Sequence, residues 1–88
     1  MVGAWIGAWI KNKIFLIVAK QFSRSLGSIS ETQLFAQPPL LANEVDMVEF
    51  LMRLEDEFGF SIEDEEKAND IKTVQDAIDF VLKEKGFI

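Results

Sequence analysis

Apolar residues between positions 43 and 58 recur every three or four residues, which is the spacing of one face of an α-helix. The apolar positions are Met47, Phe50, Leu51, Leu54 and Phe58. Asn43 precedes them as a candidate N-cap, because its side-chain oxygen can accept a backbone N–H of the first turn. Gly59 follows them and suits the left-handed residue that ends many helices. The pattern predicts a helix over residues 43–58 whose opposite face is acidic.

The same periodicity predicts two more main helices. Thr73 is the candidate N-cap of a helix over residues 73–85, and Asp76 can complete a capping box three residues later. The apolar and basic residues of segment 1–26 predict a helix from about residue 5 to residue 25. A short helix is predicted over residues 63–68. Residues 27–42 form a connector, in which four apolar side chains are expected to pack on the core: Leu34, Phe35, Leu40 and Leu41.

Composition limits the chemistry of this chain of 88 residues, which we predict to be one domain. It has no cysteine and no histidine, so disulfides, thiolate metal sites and histidine catalysis are excluded, and no enzymatic activity is expected. The acids at 63–66 lack the spacing of a calcium loop, so no metal site is predicted. Residues 43–88 hold 14 acidic and five basic residues, a net charge of −9, which disfavours nucleic acid as a partner.

The acidic helix and the segment after it resemble the second half of an acyl carrier protein. The pattern of that family is Asp-Ser-Leu-Asp followed by an acidic helix that ends in Glu-Glu-Phe. Here the corresponding residues are Asn43-Glu44-Val45-Asp46 and Asp56-Glu57-Phe58. Residues 71–78 also resemble the opening of the last helix of the family. The resemblance implies an all-α, acyl-carrier-protein-like bundle of three main helices plus one short helix, with a long loop between the first two.

Glu44 is the main departure from the family pattern, because it stands where the family carries the serine that accepts 4′-phosphopantetheine. A phosphodiester requires a hydroxyl, so the sequence predicts no cofactor. The interpretation that follows is a non-canonical carrier that acts as a protein-docking module, as a structural subunit of an organelle complex. One alternative is a functional acyl carrier in fatty acid or polyketide biosynthesis, with 4′-phosphopantetheine held by an unusual attachment. Another is a helical protein of the membrane surface.

The resemblance also assigns roles to side chains of the acidic helix. Seven positions match the partner-facing surface: Val45, Asp46, Val48, Glu49, Met52, Glu55 and Asp56. The implied partner is a basic protein, either an adaptor of the LYR type or a synthase enzyme. Five positions match the lining of the acyl tunnel of the family, or form a plain core if no acyl group is tethered: Phe50, Leu51, Leu54, Ile62 and Ile71.

Three interpretations compete for residues 1–26. A core helix predicts that Trp5 and Trp9, one helical turn apart, are shielded from water. A targeting segment for mitochondria or plastids is basic and free of acid, as the first thirty residues are. An amphipathic helix on a membrane surface would use both tryptophans as anchors. The second interpretation predicts a mitochondrial or plastid location, and the other two leave the chain cytoplasmic. Lys11 and Lys13 interrupt the apolar run too early for a transmembrane span.

Overall fold

The computed structural model describes the backbone of residues 2–63 and 65–88, and the side chains of residues 5–63 and 66–88. Its helices are α1 (Val2–Gln21), α2 (Glu44–Phe58), α3 (Glu65–Asn69) and α4 (Val74–Glu84), with a 3₁₀ turn at Leu26–Ser28. The described residues form no β-sheet; Leu34 and Thr73 form an isolated antiparallel β-bridge. The all-α prediction of three main helices, one short helix and a long first connection is therefore confirmed.

The core lies where α1, α2 and α4 pack together. Each helix buries residues that recur at helical spacing, as the periodicity predicts: Ile10, Ile14 and Val18 from α1, Phe50, Leu54 and Phe58 from α2, and Val74, Ala77, Ile78 and Val81 from α4. Phe35 from the connector completes this core, and its ring centroid lies 4.9 Å from that of Phe50. The long connection is therefore part of the hydrophobic core.

The connector corrects one prediction about apolar side chains. Phe35 and Leu40 are buried, but Leu34 and Leu41 are 43% and 63% exposed. Leu34 forms an isolated bridge with Thr73, and Phe35 N–H donates to the Lys72 carbonyl at 3.0 Å, which ties the connector to the start of α4. A turn begins at Leu34, because the Gln37 N–H donates to the Leu34 carbonyl at 3.2 Å, and it carries Phe35 into the core while Leu34 stays at the surface. Leu41 has a positive φ of 48°, and the turn there carries its side chain away from the core.

Helix boundaries differ most from prediction in α1, which was expected over residues 5–25 and spans Val2–Gln21. Ser23 adopts a positive φ of 54°, and the Arg24 N–H donates to the Ala19 carbonyl five residues before it. This bond replaces the regular α-helical bond to the fourth residue before, so the helix ends early. The connector therefore begins before the predicted residue 27. Predicted ranges 43–58 and 73–85 included capping residues, whereas the short helix predicted over 63–68 is found at Glu65–Asn69. Residue 64 of that prediction lies outside the described residues.

Capping boxes fix the starts of α2 and α4; the sequence predicts the box at α4 and, at α2, only Asn43 as the N-cap. At α2, Asn43 Oδ1 accepts the Asp46 N–H at 2.8 Å, and Asp46 Oδ2 accepts the Asn43 N–H at 3.0 Å. At α4, Thr73 Oγ1 accepts the Asp76 N–H at 3.1 Å, and Asp76 Oδ2 accepts the Thr73 N–H at 3.0 Å. Both boxes satisfy backbone donors that a helix start otherwise leaves without a partner.

Asp76 should make the stability of the chain sensitive to acid. The Lys72 N–H donates to its carboxylate at 3.0 Å and, with Thr73, lowers the pKa of Asp76 below its usual 3.8 against the opposing effect of burial. A lowered pKa contributes stability above the unfolded pKa and loses it as pH falls through the folded pKa. Asp76→Asn should therefore cost about 1 kcal/mol in urea unfolding at pH 7 and clearly less at pH 3. Asp79→Asn on the same helix is the control, and an equal cost at both pH values would contradict this prediction.

Candidate functional site

The N-terminus of α2 presents Glu44 to solvent. Glu44 is the first helical residue and is exposed, and the Asn43–Asp46 capping box fixes the backbone around it. The start of a helix carries a partial positive charge, so a carboxylate at this position is electrostatically favoured. Position 44 is therefore exposed and held by a fixed backbone. Its side chain is a carboxylate, and it lacks the hydroxyl that a phosphodiester requires.

A groove with a volume of about 460 Å³ opens beside Glu44 and runs along α2. Apolar side chains from α2 and from the segment before α4 face it: Met47, Val48, Leu51, Met52, Ile62, Ala68 and Ile71. Polar side chains line it as well: Glu44, Glu55, Asn69 and Lys72. The groove therefore combines an apolar surface with polar groups, and one end of it lies at the N-terminus of α2.

The structure divides the predicted tunnel residues into two sets. Leu51, Ile62 and Ile71 line the groove. Phe50 and Leu54 are fully buried in the core instead. The division follows from the 100° turn per residue of an α-helix, which directs Leu51 to a different neighbour from Phe50. Sequence reasoning missed Met47 and Ala68 as lining residues, and it assigned Val48 and Met52, which also line the groove, to the partner-facing surface alone. Met47 lies one turn before Leu51 and so could have been found.

The outward face of α2 carries three exposed apolar side chains and two acids. Val45, Val48 and Met52 are 73%, 54% and 58% exposed. Glu49 and Asp56 are exposed on the same face, and Glu49 pairs with Arg53 at 2.9 Å. These five are the predicted partner-facing residues that the structure leaves available, and their role in binding stays a prediction.

Asp46 and Glu55 were predicted to face a partner, but their polar atoms already serve the fold. The carboxylate of Asp46 closes the capping box, and its main-chain carbonyl accepts the Gln21 side-chain N–H at 2.9 Å. Glu55 Oε2 accepts the Ile62 N–H at 2.8 Å, which holds the turn after α2. Both residues are half-buried. Sequence periodicity could not reveal this, because the Glu55 bond depends on how the chain turns beyond Gly59.

Known proteins similar to this chain share one name. The chain is 43% identical to an acyl carrier protein of Lactobacillus acidophilus over 77 residues, which cover 88% of this chain and 94% of that protein. It is 44% identical to an acyl carrier protein of Thermosynechococcus vestitus, over 82% of this chain and 86% of that protein. The solved structure of an acyl carrier protein from Enterococcus faecalis superposes with a TM-score of 0.70 at 31% identity, and covers 89% of this chain and 96% of that chain. No family model matches the chain.

These relatives overturn the interpretation of the chain as a docking module in an organelle complex. They are named as acyl carriers, and they align with the chain over nearly their whole length, including the half that precedes α2. The resemblance seen at residues 43–58 and 71–78 therefore extends through the fold, and it favours the alternative of a functional carrier. Their names describe carriers, which confirms the prediction that the chain is not an enzyme. The mitochondrial or plastid location stays a prediction.

Proposed function

The chain belongs to the acyl carrier protein family, and on that premise we propose that it works as an acyl carrier in fatty acid biosynthesis. In this role the groove beside α2 shelters the acyl chain, and the outward face of α2 docks the enzymes that act on it.

The groove is the observation that supports this proposal most directly. Each methylene of an acyl chain that leaves water for an apolar surface gains about 0.8 kcal/mol. The groove offers such a surface from Met47 through Leu51 to Ile62 and Ile71. Its end at Glu44 coincides with the position where the family attaches its cargo. A chain that enters at the start of α2 can therefore be buried along the helix.

The family implies a 4′-phosphopantetheine arm, and the residues present fit it only in part. The apolar groove suits an acyl chain, and the start of α2 suits an anionic phosphate. Glu44 does not fit, because it has no hydroxyl to form the phosphodiester and its carboxylate carries the same sign of charge as the phosphate. No attachment step at residue 44 follows from this chain. Binding of an acyl chain in the groove does not require that the chain be covalently attached at residue 44.

A synthase enzyme with a basic surface is the partner we propose for the outward face of α2. Exposed ion pairs to Glu49 and Asp56 contribute only about 0–1 kcal/mol each. The adjacent apolar side chains of Val45, Val48 and Met52 can supply contact area at the centre of such an interface. The acids then mainly speed association and set orientation, while the apolar contacts slow dissociation.

Binding of a soluble octanoyl-pantetheine probe tests whether the groove takes acyl chains. In the native chain we expect saturable shifts of the methyl NMR signals of Met47, Ile62 and Ile71. Leu51→Trp should weaken binding by about tenfold or more, because an indole fills the space that the probe needs. Val45→Trp adds the same bulk on the exposed face of α2, outside the groove, and should leave affinity unchanged.

Equal affinity in the native chain and in Leu51→Trp would contradict the proposed role of the groove. Both tryptophan variants must first show a cooperative thermal transition. If Leu51→Trp fails to fold, Ile62→Trp blocks the same groove from the opposite wall.

A further inference from the structure

Helix α1 has apolar residues on opposite sides, but the bundle covers only one of them. Ile10, Ile14 and Val18 are at most 1% exposed and face the core. On the opposite side Trp5, Trp9 and Leu16 are 79%, 50% and 50% exposed. At 100° per residue these three side chains fall within roughly 40° of one another around the helix axis. They form one apolar stripe, which corrects the expectation that both tryptophans are shielded in the core.

The stripe is held in place at its centre and projects at one end. The Trp9 ring packs edge-on against Phe58, with ring centroids 5.8 Å apart, and Lys13 Nζ lies 5.9 Å from the Trp9 ring. Trp5 lies one turn nearer the start of α1 and is the most exposed large apolar side chain of the described residues. Large exposed apolar patches on a soluble protein commonly mark a site of contact with a protein or a membrane.

Basic residues exceed acidic residues around the stripe. The first thirty residues contain no acid, and Lys11, Lys13, Lys20 and Arg24 lie along or just after α1. The acids that face them from neighbouring segments are Glu31, Asp56 and Glu57. Glu31 pairs with Lys11, and Glu57 pairs with Lys13 at 3.3 Å. Lys11 and Glu31 lie on another side of α1, and the charged residues that share a shallow pocket with Leu16 are the basic Lys13, Lys20 and Arg53 and the acidic Asp56 and Glu57, an excess of one positive charge in a chain whose net charge is −6.

We propose that the outward stripe of α1 binds the surface of membranes that contain anionic lipid, with Trp5, Trp9 and Leu16 inserted at the level of the headgroups. Tryptophan concentrates at this interface because its ring is apolar and its N–H is polar. Lys20 can extend its ammonium toward lipid phosphates while its methylenes stay with the apolar stripe. Among the described helices, none is long and apolar enough to cross a bilayer. The helix therefore lies along the surface, and the rest of the domain stays in water.

Tryptophan fluorescence of the full chain tests this proposal. Trp5 and Trp9 are the only tryptophans, so the emission reports directly on the stripe. With vesicles of equal parts phosphatidylcholine and phosphatidylglycerol we expect a blue shift of the emission and co-sedimentation, both weakened by added salt. Trp5→Ala combined with Leu16→Ala should reduce partitioning by about tenfold or more, since two inserted apolar side chains are lost. Val45→Ala combined with Met52→Ala removes similarly exposed apolar side chains from α2 and should have no effect.

Any of three vesicle results would overturn the proposal: no binding to the mixed vesicles, binding that survives Trp5→Ala with Leu16→Ala, or equal binding to pure phosphatidylcholine. Light scattering tests the alternative that a second copy of the chain, instead of a membrane, covers the stripe. A dimer that Trp5→Ala with Leu16→Ala converts to a monomer would identify the stripe as an interface between two copies and would also overturn it. None of these results involves the groove, so the vesicle experiment and the acyl-probe experiment succeed or fail separately.

Discussion

Replacing Glu44 with Ser is expected to let the chain accept one 4′-phosphopantetheine group from coenzyme A in the presence of a broad-specificity phosphopantetheinyl transferase. The substitution supplies the missing hydroxyl, while Asn43 and Val45 still stand in place of the family's aspartate and leucine. Residue 44 is exposed, the Asn43–Asp46 box fixes the first turn of α2, and the groove opens beside it. Intact mass and peptide mapping measure the adduct. The native chain is the control and should show no adduct on residue 44, while an unmodified Glu44→Ser variant would contradict this prediction.

The rate of that modification also tests the docking face of α2. In the Glu44→Ser variant, changing Glu49 and Asp56 to Lys should lower kcat/KM of the transferase by about tenfold, because two favourable charges become unfavourable. Added salt should lower the modification rate of Glu44→Ser more than that of the variant in which Glu49 and Asp56 are also changed to Lys. Reversal of Asp79 and Glu84 on α4 changes net charge equally away from α2 and is the control. If both double reversals slow the reaction equally, only net charge matters and the face of α2 is not the docking surface.

Phe50→Ala should remove most of the stability of the domain. The Phe50 side chain is fully buried and packs against Phe35, which ties α2 to the long connector. A buried Phe→Ala change costs about 3–5 kcal/mol, because transfer free energy is lost and a cavity remains. A domain of this size is stable by only about 5–15 kcal/mol. The variant should unfold at much lower urea concentration, and circular dichroism at 222 nm would follow the transition.

Met52→Ala is the matched control for Phe50→Ala, because Met52 is two residues later on the same helix and is 58% exposed. Its cost should stay within about 0.5 kcal/mol. A small cost for Phe50→Ala would mean that the connector collapses into the vacated space. In that case the contact between Phe35 and Phe50 would not be what anchors the loop.

The positions of the main helices were set by the sequence, because the signals for them are local. Periodic apolar residues indicate which face of a helix is buried, and a capping box joins residues only three positions apart. Asn43 as an N-cap and the pair of Thr73 with Asp76 were therefore predicted and are found, and the structure adds Asp46 as the second member of a capping box at α2. The family was recognisable for the same reason, since its motif lies in one continuous stretch. The chemistry of position 44 also needs no structure, because glutamate has no hydroxyl.

The lining of the groove and the exposure of the stripe on α1 were decided by tertiary structure alone. Phe35 is buried and Leu34 is exposed because Phe35 bonds to Lys72, far away in sequence. Glu55 serves the turn after α2 because Ile62 folds back to it. On α1 the periodicity indicates the buried residues Ile10, Ile14 and Val18, but apolar residues also occur on the opposite side. Only packing against α2 and α4 shows that Trp5, Trp9 and Leu16 stay exposed. In each case the deciding contact joins different segments of the chain, seven positions apart for Glu55 and Ile62 and much farther for the others, and local propensity and periodicity do not report on it.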